Sequence, residues 1–148
     1  MAQAHARMQQ VAAAEGLGYE SRTHWYNSGP AHQAALWADQ HGKGEDFRRA
    51  VYRAYFVDGA NIASTDVLAD IAKKLELDTT DLRQALADER FRDEVERQFQ
   101  YAREMGINAV PSYVAGRYVV VGAQPFDVYR QLIETAQAEG EAEAEPAT

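Results

Sequence analysis

"NAVPSYVAGRYVVVGAQP", Asn108 to Pro125, is where the chain changes period. Tyr113, Val114 and then Tyr118 to Val121 are aromatic or β-branched, and they flank an Ala115–Gly116 step. That pattern predicts a β-hairpin. Pro111 has no amide hydrogen, so it belongs at a strand start or edge. The bond before it can be cis at a cost of only ~0.5–1 kcal/mol. Pro125 suits the first turn of a helix over "PFDVYRQLIETAQAEG", whose apolar face is Phe126, Tyr129, Leu132 and Ile133. A lone hairpin is marginal in water unless it is packed on helices or paired with further strands, so something must cover this one.

Upstream of the hairpin the periodicity is helical. Residues 3 to 15 are rich in alanine, glutamine and methionine, and Gly16 and Gly18 stop them. "LGYESRTHWYN" reads as an extended segment, although its apolar positions do not alternate cleanly. "NSGPAHQAALWADQHG" restarts a helix, with Asn27 or Ser28 as cap, Pro30 in the first turn and Gly42 at the end. In "GEDFRRAVYRAYFVDG", Phe47, Ala50, Val51, Ala54 and Tyr55 form an apolar stripe. Arg48, Arg49 and Arg53 form a basic face, expected to be solvated. "STDVLADIAKKLELD" is capped by Ser64 or Thr65, and the next helix by Asp78 or Thr79. A break near Asp88 divides that last stretch into two helices. The fold class is therefore α+β and mostly helical. Residues 1–105 are expected to form a helical domain, 106–137 a β-β-α part, and 138–148 an acidic disordered tail.

The composition narrows the chemistry. The 148 residues carry a net charge of −8 and include no cysteine. Disulfides, thiolate metal sites and thiol nucleophiles are absent from this sequence. The negative charge argues against nucleic acid and anionic membrane surfaces as partners. No apolar run approaches the ~20 residues of a membrane span, and the first residues lack a signal peptide's basic start and apolar core. A cytoplasmic location is the expectation. His5, His24, His32 and His41 have no helical spacing of three or four between them, so no metal site is expected. The sequence implies no cofactor. The acids of "STDVLAD" and "DTTDL" sit where helix caps sit, and no phosphate loop or Ser/His/Asp set is present.

Taken together, "MGINAVPSYVAGRYVVVGAQP" between two helices resembles the C-terminal half of the thioredoxin fold, as found in the DsbA-like oxidoreductases. It looks closest to their FrnE-like branch, whose relatives include the 2-hydroxychromene-2-carboxylate isomerases. "NSGPAHQAALWADQHGK" and "FRRAVYRAYFVDGANIASTDVLADIAKKLELD" resemble that branch's helical insertion, so the likeness runs over most of residues 8 to 133. The resemblance implies a cis-proline loop at Ala109, Val110, Pro111 and Ser112, which in relatives holds a peptide substrate beside the active cysteine. It also marks Asn27, His32, Gly122, Gln124 and Pro125 as family motif positions, with His32 a packed helix residue.

The sequence departs from the family where the redox chemistry lies. Family members begin with a strand, a Cys-x-x-Cys motif at a helix start, that helix and a second strand, and this sequence has no match to those elements. The family's first strand pairs beside the "SYVA" strand, so the resemblance implies an open edge there, to be covered by another chain, by a second copy, or by "GYESRTHWY" folding back. Three readings follow. The first is a truncated or degenerate homologue of the thiol–disulfide oxidoreductases, protein disulfide isomerase-like in family but redox-inactive alone. The second is a non-catalytic protein- or peptide-binding or self-assembling module that uses the strand edge. The third is a glutathione-binding isomerase relative. Isomerase relatives use a serine that lies in the absent N-terminal motif, so Ser112 does not inherit that role.

Overall fold

The computed structural model describes residues 2–20 and 24–144. The chain divides into two units, Met1–Arg97 and Gln98–Thr148. The first holds α1 (Ala2–Ala14), α2 (Gly29–Gln40), α3 (Gly44–Phe56), α4 (Thr65–Lys74) and α5 (Thr79–Ala87). The second holds β1 (Ser112–Ala115), β2 (Tyr118–Val121) and α7 (Phe126–Ala144). The division falls within α6 (Arg92–Glu104), eight residues before the boundary read from sequence.

The helical unit is built around α2. Its Ala31, Ala34, Ala35 and Ala38 are small, which lets α3, α4 and α5 approach closely. Trp37, Phe47, Leu68 and Leu82 are the largest fully buried side chains. Each comes from a different helix, so the core closes only when α2 to α5 assemble. The helix ends follow local chemistry. The Asp78 carboxylate accepts from the amides of Thr80 at 2.8 Å and Asp81 at 3.2 Å, which caps α5. Ser64 occupies the N-cap of α4 but makes no side-chain capping bond. Gly42 has φ +69°, and the Lys43 amide reaches back to the Ala38 carbonyl at 3.0 Å. That is a Schellman ending, for which glycine is the unstrained residue. The expected break near Asp88 is present: α5 ends at Ala87 and α6 begins at Arg92.

In the second unit, β1 and β2 pair antiparallel, with Tyr113 opposite Val120 and Ala115 opposite Tyr118. Two residues, Gly116 and Arg117, make the turn. Only Gly116 has positive φ, at +56°, the signature of a type II′ hairpin. Helix α7 packs on both strands and buries Leu132. It covers the hairpin as the marginal stability of a two-stranded ribbon requires.

Two expectations change. "LGYESRTHWYN" forms no strand in its described residues, and Ser21 to Thr23 lie outside them. Its non-alternating apolar positions could not define one buried face. The acidic stretch from 138 was expected to be disordered, yet α7 continues through it to Ala144, and 145–148 lie outside the described residues. Alanine and glutamate are both good helix formers, so the composition that looked like a tail also extends a helix already nucleated by packing.

Candidate functional site

The second unit gathers its motif residues around one turn. The Val110–Pro111 bond is cis. The Gly122 amide donates to the Pro111 carbonyl at 2.8 Å, tying the loop before β1 to the residue after β2. The Ser112 hydroxyl donates to the Ala109 carbonyl at 2.6 Å, which closes the loop from the other side. Gln124 holds the exit of β2 twice. Its side-chain amide donates to the Val121 carbonyl at 3.1 Å, and its backbone amide donates to the Tyr129 hydroxyl at 2.7 Å. That hydroxyl in turn donates to the Gly122 carbonyl at 3.2 Å. The Tyr129 ring lies 4.5 Å from that of Tyr113, centroid to centroid, so α7 clamps β1 and the turn with one residue. Pro125 precedes α7 directly. Ala109, Val110 and Pro111 are exposed, Val110 to 91 %.

Asn27 and His32 belong to the helical unit. The Asn27 carboxamide oxygen accepts from the Gly29 amide at 2.9 Å, so Asn27 supplies the capping bond while Ser28 occupies the N-cap position without one. His32 borders a cavity of about 350 Å³ between α2 and α3. Ala31, Ala35, Val51 and Ile62 give it a buried apolar lining, and Tyr52, Tyr55 and Phe56 an aromatic one. Ser28, His32 and Arg48 are its polar members. His32 is exposed rather than packed, yet desolvation, and second the positive charge of Arg48, hold its pKa below the ordinary value. Arg48 makes a two-pronged ion pair with Asp39, one prong at 2.8 Å.

Arg48 borders the cavity while its side chain stays solvent-accessible, as expected of the basic face of α3. Its neighbours on the α3 face, Val51, Tyr52 and Tyr55, follow at helical spacing, which is the sequence signal that marks them as one surface. Tyr129 was assigned only to an apolar face, and its role in the turn rests on a hydroxyl that periodicity does not see.

These two units can be compared with known proteins. A sequence model of the DsbA-like thioredoxin domain matches residues 1–134. The chain belongs to the DsbA-like thioredoxin domain family. The crystal structure of the probable DsbA oxidoreductase SCO1869 from Streptomyces coelicolor superposes with a TM-score of 0.85. The match is at 29 % identity and covers 99 % of this chain and 62 % of that one. The uncharacterized protein YwbO of Bacillus subtilis (strain 168) is 29 % identical over 102 residues, 68 % of this chain and 51 % of its own length. The chain thus spans about half of its curated relative and under two thirds of its structural one. The mostly helical, thioredoxin-like fold expected from the sequence is the one shared with the Streptomyces structure. Among the described residues, no helix is long and apolar enough to cross a membrane.

Proposed function

We propose that this polypeptide is a cysteine-free portion of a DsbA-like thiol–disulfide oxidoreductase fold and performs no disulfide exchange by itself. One observation carries the reading: the family match extends over residues 1–134, while the sequence contains no sulfhydryl group. Exchange proceeds by thiolate attack on a disulfide sulfur, and no other side chain supplies that nucleophile. What the chain does offer is a surface. Ala109 to Pro111 form an exposed loop that runs into half-buried Ser112 at the start of β1 and is held from both sides, and we assign to these four residues the contact with a protein or peptide. Its location is proposed to be the cytoplasm, since nothing in this sequence requires an oxidising compartment. The test is insulin reduction with dithiothreitol as electron donor. A rate equal to the protein-free background is expected, and turnover above it, proportional to protein concentration, would overturn the reading.

A second reading is favoured by the sheet. Strand β1 pairs with β2 alone among the described residues, and Tyr113 and Val114 are exposed beside it. A free strand edge is a template for another strand. In this reading the chain is a binding or assembly module that adds a strand from a partner or a second copy. Light scattering after size exclusion separates the outcomes. A dimer that a Val114→Lys substitution dissolves supports edge pairing, and a monomer at all concentrations argues against self-assembly.

A further inference from the structure

The cavity of the helical unit belongs to neither reading, because it involves no thiol chemistry and no strand edge. We propose that it is a binding site for a small, uncharged aromatic molecule. Three observations point there. The first is size. About 350 Å³ has room for on the order of ten water molecules, within the range of small-molecule sites.

The second is lining. Buried Ala31, Ala35, Val51 and Ile62 cannot hydrogen-bond water, so water held there gives up partners it has in bulk. The aromatic residues are already arranged in a cluster. The Tyr55 and Phe56 rings meet edge to face at 4.9 Å, and Tyr52 lies 6.2 Å from Phe56. A planar guest would extend that cluster by the same stacked or edge-on contacts.

The third is charge. Arg48 is matched by Asp39, and partial burial and the Arg48 charge both disfavour a protonated His32. A cation entering the cavity meets the Arg48 guanidinium, and an anion meets a guanidinium already engaged by a carboxylate, in a chain of net charge −8. A neutral guest avoids both. One hydroxyl on it would find Ser28, which lines the cavity and can donate or accept.

The experiment uses the 148-residue chain, uniformly ¹⁵N-labelled, titrated at pH 7 with 2-naphthol and, separately, with 2-naphthoate, its anionic counterpart. Saturable amide shifts centred on α2 and α3 are expected with 2-naphthol, and at least tenfold weaker binding with 2-naphthoate. Ala35→Leu places a larger side chain in the cavity and is expected to weaken 2-naphthol at least tenfold while the remaining amide spectrum persists. Should Ala35→Leu not fold, the comparison of the two ligands on the unaltered chain decides alone. Absence of saturable shifts up to the solubility limit, shifts scattered over both units, or equal affinity for the two ligands would overturn the proposal. Insulin-reduction results do not bear on it, so the two can fail separately.

Discussion

Gly44 is a first-turn residue of α3 that sequence reading passes over, and it makes room for an ion pair. A Cβ at this position would lie 1.7 Å from the Asp39 carboxylate oxygen and 2.8 Å from the Arg48 guanidinium. Gly44→Ala is therefore expected to push the ion pair apart, and because both side chains are partly exposed and can swing away, to destabilise by no more than about 1 kcal/mol. Urea unfolding measures it, and pairing the change with Asp39→Ala should recover part of the loss because the two share one clash. Asp81 is a second residue whose role only the structure supplies. The Trp37 indole donates to its carboxylate at 2.6 Å, and the Arg90 guanidinium donates at 3.1 Å. These bonds, the indole's first, hold its pKa below the ordinary carboxylate value. A carboxyl depressed in the folded state contributes stability above its unfolded pKa of about 3.9 and loses it as the pH falls through the lower folded value. Unfolding free energy should thus decline below about pH 4. Asp81→Asn, which keeps an oxygen for the indole but cannot titrate, should show a shallower decline.

At the scale of elements, most boundaries follow from residues that the sequence displays. Gly16, Gly42 and Gly106 lie at helix ends with positive φ, and Asp78 caps as its position suggests. Two endings carry no such mark. Glu76 has φ +60° and Glu89 φ +50°, and each occupies the position that glycine holds elsewhere in this chain. The Leu77 amide bonds the Ala72 carbonyl at 3.0 Å, and the Arg90 amide bonds the Ala85 carbonyl at 2.9 Å, the same long-range closure. A glutamate there bears the left-handed steric penalty that glycine escapes. Glu76→Gly is expected to raise stability by about 0.5–1 kcal/mol, seen as a higher thermal midpoint with α4 and α5 unchanged in amide spectra. A lower midpoint would mean that the flexibility gained by the unfolded chain outweighs the relieved strain. Helix stops at glycine are legible because the cause is local. Stops at Glu76 and Glu89 are not, because glutamate carries no local signal for the left-handed conformation.

For the molecule as a whole, the core is unevenly divided. The cluster around Trp37, Phe47, Leu68 and Leu82 lies within residues 1–97, whereas Leu132 alone is a buried apolar residue in the described part of residues 98–148, and it is not fully buried. Local opening free energy follows buried apolar contact, so the two units should not open together. Native-state hydrogen exchange is expected to protect amides of α2 to α5 longest and to release those of β1, β2 and α7 earlier. Equal protection in both would show that they unfold as one cooperative body. The strand edge fits the same picture, since a ribbon with one covered face and one open side is the part of this fold most dependent on what adjoins it.

The sequence alone determined most of the helices, the hairpin and the kinship of the chain, while the turn, read at Ala115–Gly116, lies one residue later at Gly116–Arg117. Those features depend on residue order over short distances, where a period of 2.0 or 3.6, a glycine or a proline carries its own consequence. That the chain holds no cysteine is likewise read from the sequence. The cavity, the Asp39–Arg48–Gly44 arrangement and the Tyr129 clamp were decided by tertiary structure. Each joins side chains from separate elements or from opposite sides of a turn, and the distance between such groups is set by how the elements pack rather than by how many residues lie between them.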